Sequence, residues 1–291
     1  MKQLLTRSII FSLFFASTIA NAANYRSEVS YYTYTADYQD DTDELVGGAS
    51  YTHHFEKVGT TARPLAEAAY LARTSYIMGW LFGQDVDYKN GNDRLGTGMG
   101  AEFVHRSSQS PLILEVAYTR ARYDHQNSAG TTLAEWNETH LDLTAGWYLS
   151  STTAVKLQIA KTDYDFLKGG SKDYSTTDMH LMGKKIVDSK SQNPINLEGS
   201  VGFVEYGSDK DENRVLSVGG DFYFTRRHSL GLLYKNENGD EKQFEGTTTT
   251  IRGRFFFTSR LSLAIEKENF DAENKFGVDY DKTSLEVFYR F

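Results

Sequence analysis

The chain has no cysteine, three prolines in 291 residues and no apolar run long enough to cross a bilayer as a helix. Each shortage excludes something. Without cysteine there are no disulfides and no thiolate chemistry. With so few prolines, long stretches remain free to donate every backbone N–H to a strand ladder. Beyond the amino-terminal segment, the longest apolar stretches, around residues 76–82 and 255–257, fall well short of the roughly 20 residues that a spanning helix needs. A membrane-spanning form of this chain is therefore a closed barrel, the other structure that satisfies every backbone hydrogen bond in hydrocarbon. Basic residues are also short, with 31 Lys and Arg against 39 Asp and Glu and a formal charge of −8. No nucleic-acid partner is expected, because the basic stripe such binding requires is missing.

What is present is alternation. In Leu141, Leu143, Ala145, Trp147 and Leu149 the odd positions are apolar, while His140, Asp142, Thr144 and Gly146 between them are polar or small. Val155, Leu157 and Ile159 alternate likewise with Lys156 and Gln158, as do Leu261, Leu263 and Ile265 with Ser262 and Glu266. Side chains along a strand point to opposite faces by turns, so each segment has one apolar and one polar face. About ten such residues, a connection and ten more recur from residue 28 to the end, predicting about fourteen strands, with twelve or sixteen open. The third strand is read over 66–83. An even count puts both chain ends on the periplasmic side, together with the tight connections at 150–153, 225–228 and 258–260. Nineteen Tyr and eighteen Phe are enough for aromatic girdles at both interfaces.

The same alternation fits a soluble sandwich with the apolar face inside. Size decides, since a fourteen-stranded closed sheet is too wide for its inner side chains to fill. The fold expected is thus an all-β, transmembrane, antiparallel up-and-down β-barrel with short loops and no long inward constriction loop. Residues 1–22 read as a secretory signal peptide, with Lys2 and Arg7 before an apolar run and a small-x-small pattern at Ala20-Asn21-Ala22. Residues 23–291 form the barrel domain, and the expected location is the bacterial outer membrane.

Charge on the lipid face costs about 2–4 kcal/mol at the midplane, so the strand charges belong inside. By parity the candidate pore-lining residues are Arg73, Glu115, His140, Asp142 and Lys156, then Asp221, Arg252, Arg254 and Glu266. Opposed charges across a lumen orient dipolar solutes, whereas charges that merely pair would hold the wall. Arg252 and Arg254 project together and are the leading candidates for a constriction. The longest external connections, 125–136 and 271–282, read as too short to fold deeply inward, so any gate is expected from wall side chains or several short loops, and a monomer is favoured over a trimer. Acidic tips such as Asp40, Asp41 and Asp43 fit either a solvated loop or divalent cations bridging lipopolysaccharide.

Catalytic patterns are weak. His53 and His54 point to opposite faces, and His140 and Asp142 sit too far apart along one strand for an oriented pair. Gly96, Gly98 and Gly100 lack a following helix and, repeating on one strand face, read as a bend in the wall or as room for a bulky neighbour. No enzyme activity, cofactor or metal is expected.

Three segments resemble the general porin family of Gram-negative outer membranes: Tyr31-Tyr32-Thr33-Tyr34, Arg63-Pro64-Leu65-Ala66-Glu67-Ala68-Ala69-Tyr70-Leu71, and the closing Phe288-Tyr289-Arg290-Phe291. The resemblance implies an outer-membrane barrel with channel activity, without naming a solute. Tyr289 and Phe291 match the terminal aromatic pattern that the barrel assembly machinery reads. The expectation is a porin-like channel for passive diffusion of small hydrophilic solutes or ions, in contact with outer-membrane lipids and lipopolysaccharide. The alternatives are a non-conducting structural or surface-interaction barrel and, further off, a barrel hydrolase.

Overall fold

The computed structural model describes residues 24–60, 64–169, 172–187, 193–207, 211–274 and 277–291. The expected signal peptide, 1–22, and Arg63 of the family-like segment lie outside them. Fourteen strands run in chain order: β1 (Asn24–Tyr38), β2 (Thr42–Gly59), β3 (Tyr76–Asp87), β4 (Asp93–Arg106), β5 (Leu112–Gln126), β6 (Thr132–Ser150) and β7 (Thr153–Lys168). The second half continues with β8 (Tyr174–Val187), β9 (Ile195–Tyr206), β10 (Asp211–Thr225), β11 (His228–Gly239), β12 (Gly246–Phe256), β13 (Leu261–Ala272) and β14 (Tyr280–Arg290). Each pairs antiparallel with its neighbours in sequence, and β1 pairs with β14 to close the barrel. That seam runs unbroken from Glu28 opposite Arg290 to Tyr38 opposite Tyr280. Among the described residues no strand edge is left open, as a hydrocarbon environment requires.

The pleat sorts the side chains as the alternation predicts. Large apolar groups cover the outside, with Leu81 63 % exposed, Leu149 65 % and Met99 68 %, an area that water would penalise and lipid does not. The inside is not uniformly polar. Tyr32, Trp80, Phe82 and Tyr123 also turn inward, and inward glycines make room for them: a Cβ on Gly98 or Gly100 would meet the ring of Phe82 or Trp80, and one on Gly96 would meet Tyr123 at 2.5 Å.

β1 starts and β14 finishes at one end of the barrel, called here the terminal end; the other is the distal end. The distal connections are short, such as residues 127–131 and 273–279, within the wider ranges the sequence marked out. At the terminal end the third strand departs from expectation. Residues 66–75 are not strand: Leu65–Glu67 form a 3-10 turn, Ala68–Ala72 a short helix, α1, and β3 begins only at Tyr76. Alanine-rich sequence after Pro64 carries high helical propensity and no period-two alternation. The helix stops at Arg73, whose left-handed φ of 53° lets its N–H reach back to the Ala69 and Tyr70 carbonyls.

This connection turns into the barrel. Ala68 and Val58 are fully buried against Tyr25, and Leu65 is also buried. An inward segment therefore exists, and it comes from the terminal end rather than from an external loop or from wall side chains.

Candidate functional site

The inward segment, residues 64–73, is tied to the wall on several sides. From β14, Arg290 donates to the Leu65 carbonyl at 3.1 Å while also pairing with Glu28 of β1. The Arg226 carbonyl, in the β10–β11 turn, accepts the Leu65 N–H at 3.0 Å. Glu67 is buried, and it accepts from Tyr223 of β10 at 3.0 Å and pairs with Lys184 of β8 at 2.8 Å. Across the barrel Tyr70 packs on Tyr148 of β6 with centroids 5.6 Å apart, under the cations of Arg106 and Lys184. Burial raises the Tyr70 phenol above its ordinary pKa, so it stays protonated. A buried carboxylate with two donors and a segment held from β1, β6, β8, β10 and β14 together form a floor at the terminal end.

Above that floor lies a cavity of about 720 Å³, lined from every strand except β6. Among the candidate residues, Glu115, Lys156, Asp221, Arg252, Arg254 and Glu266 line it. Glu115 is held between Arg106 at 2.7 Å and Lys156 at 2.9 Å. Arg252 grips Asp221 through two nitrogens at 2.7 and 2.9 Å and also pairs with Glu198, a forked geometry that fixes the guanidinium in place. Arg254 differs. It makes no ion pair among the described residues, and its guanidinium lies over the Phe288 ring at 5.0 Å. Glu266 likewise makes no ion pair among the described residues.

The remaining candidates sit elsewhere. His140 and Asp142 face inward on β6, outside the cavity lining, and do not meet: His140 Nδ1 lies 2.9 Å from Thr162 Oγ1, and Asp142 bonds to Gln158 and to Thr144. Arg73 is not a lumen residue. The parity that placed it assumed a strand, whereas it caps α1 at the terminal rim, donating to the Ser150 carbonyl at 2.8 Å and stacking over Tyr148 at 4.1 Å. Phe291, half exposed, exchanges backbone hydrogen bonds with Ser27 and stacks beside Tyr289 with centroids 6.2 Å apart. Among the described residues no group of three or more His, Asp or Glu is placed to hold a metal.

Two participants went unread in the sequence. Arg106 shares the inward parity of Glu102 on β4 and could have been found from it. Tyr70 and its anchors depend on the helix that a strand reading over 66–83 conceals, whereas Glu67 has inward parity even on that reading.

No protein-family model and no curated protein matches the chain. Among solved structures, Omp33 of Acinetobacter baumannii is similar over 92 % of this chain and 99 % of its own, with TM-score 0.57 and 17 % identity. The CymD monoaromatic hydrocarbon channel is similar over 92 % and 89 %, with TM-score 0.56 and 8 % identity. The β domain of the Bordetella autotransporter BrkA is similar over 93 % and 100 %, with TM-score 0.50 and 12 % identity. By fold, and by its apolar outer surface, the chain is a closed fourteen-stranded β-barrel of the bacterial outer-membrane type.

Proposed function

We propose that the barrel is an outer-membrane channel for passive diffusion of small hydrophilic solutes or ions, closed in the present conformation by its own inward segment. One observation carries the reading: a fourteen-stranded wall encloses a cavity of about 720 Å³ lined by ionised groups of both signs. Such a lining holds water, and fixed opposed charges act on dipolar solutes within it. CymD is described as a monoaromatic hydrocarbon channel; an unmodified hydrocarbon would have to displace water from Arg254, Glu266 and the ion pairs of this cavity without replacing a hydrogen bond. Hydrophilic cargo avoids that cost. The family-like segment around Pro64 supports a general porin relationship, and with it contacts to lipopolysaccharide and to the barrel assembly machinery.

A second reading, a barrel that conducts nothing, draws on the same floor and on the pairing of Glu67, Glu115 and Asp221. Liposome swelling separates the two. With residues 61–73 replaced by a short turn, proteoliposomes should take up small sugars faster than large ones. No uptake of any sugar by the trimmed barrel would leave the non-conducting reading standing.

A further inference from the structure

Near the distal end the inner wall carries a second cavity, of about 350 Å³, between β3 and β8. A ladder of near-parallel rings crosses it from strand to strand. Tyr123 stacks on Trp136 with centroids 5.2 Å apart, Trp136 on Phe166 at 5.8 Å, Phe166 on Tyr174 at 6.3 Å and Tyr174 on Tyr164 at 4.4 Å, with interplanar angles from 15° to 29°. These rings are not a lipid girdle. Trp136 shares the parity of Glu138 and His140, opposite to the outward Leu141 and Leu143.

Two charges stand beside the ladder. Arg94 leans over the Tyr123 face at 5.9 Å, and Glu138 lines the same cavity. Among the described residues neither forms an ion pair, in contrast to Glu67, Glu115 and Asp221 deeper in the lumen. Flat apolar rings with one free cation and one free anion match a ligand that carries a flat ring and both opposite charges. A hydrocarbon would leave both charges unanswered. An organic cation would meet Arg94, an organic anion would meet Glu138, and a neutral sugar would use the rings and leave the charges without counter-ions.

We propose that this cavity is a binding site for small aromatic zwitterions, with the ring against the Trp136 ladder, the ligand carboxylate toward Arg94 and its ammonium toward Glu138. The assignment deepens the channel reading by naming a solute class at the distal entrance. It is nevertheless measured as equilibrium binding, so a barrel that passes no current can still bind, and a conducting one can fail to.

The test is calorimetric titration of the purified barrel in detergent with L-phenylalanine, phenethylamine, 3-phenylpropionate and glucose. L-phenylalanine should bind about tenfold or more tightly than either singly charged analogue. Glu138→Gln should abolish its advantage over 3-phenylpropionate, Arg94→Gln its advantage over phenethylamine, and Trp136→Ala should weaken all three aromatic ligands. Equal affinity for L-phenylalanine and both analogues in the native barrel, no binding at all, or tighter binding of glucose would each overturn the proposal without any variant having to fold.

Discussion

In the proposed channel, Glu67 is the side chain on which closure turns. It is a buried carboxylate whose two partners come from the wall, Tyr223 at 3.0 Å and Lys184 at 2.8 Å, so its charge is stabilised only while the segment stays in place. Glu67→Gln keeps the shape and loses the charge, a change worth about 1–3 kcal/mol for hydrogen bonds to an ionised group. Single-channel recording should show open periods roughly tenfold or more prolonged; unchanged gating would place the lock elsewhere. The two arginines of β12 should also behave differently. Arg254, with no ion pair among the described residues, presents its charge to the cavity, so Arg254→Ser should move the reversal potential toward cation preference with little effect on stability. Arg252→Ser instead takes the shared cation from Asp221 and Glu198, leaving Asp221 only its bond from Asn196, and denaturant unfolding in detergent should show a loss of about 1–3 kcal/mol for this half-buried cluster.

At the scale of elements, the strands were readable and the inward segment was not. Strands advertise themselves through a period of two that lipid on one face and water on the other both enforce, which is why β6, β7 and β13 stand out in the sequence. The stretch from Leu65 to Ala72 has no such period. A strand read over 66–83 takes in its alanines and Arg73, and parity then puts Arg73 in a lumen it does not enter. The helical propensity of Ala-Ala-Tyr-Leu-Ala after Pro64 was the available signal. What propensity could not tell is where the segment goes, since that depends on Arg290 and Tyr223, which lie more than 150 residues away. Six of the nine candidate residues line the cavity for the opposite reason: Glu115, Lys156, Asp221, Arg252, Arg254 and Glu266 lie on strands whose register follows from the pleat. The β3–β4 packing gives its own test. Gly98→Val would drive a branched side chain into the Phe82 ring, and overpacking of this kind costs about 1–3 kcal/mol, readable as a lower unfolding midpoint in urea; a neutral result would mean that the ring has room to move.

The whole molecule is a wall with two different solvents. Its outer face exposes residues such as Leu143, Leu181 and Val201, tolerable only against lipid, while its inner face combines paired charges, a few unpaired ones and a distal ladder of rings. Leu143→Arg should therefore cost about 2–4 kcal/mol at membrane depth, whereas Thr139→Arg, near the distal rim, should cost less, a contrast that refolding titrations into lipid bilayers read out. In the proposed channel, closure and conduction belong to the same scale, because the segment would block only what a barrel of this width would otherwise pass. Planar-bilayer conductance of the native protein beside a form with residues 61–73 replaced by a short turn tests that relation. The native barrel should show small or rare current steps and the trimmed barrel discrete, larger and longer-lived ones; a trimmed barrel that inserts and carries no current would contradict a channel gated by its own inward segment.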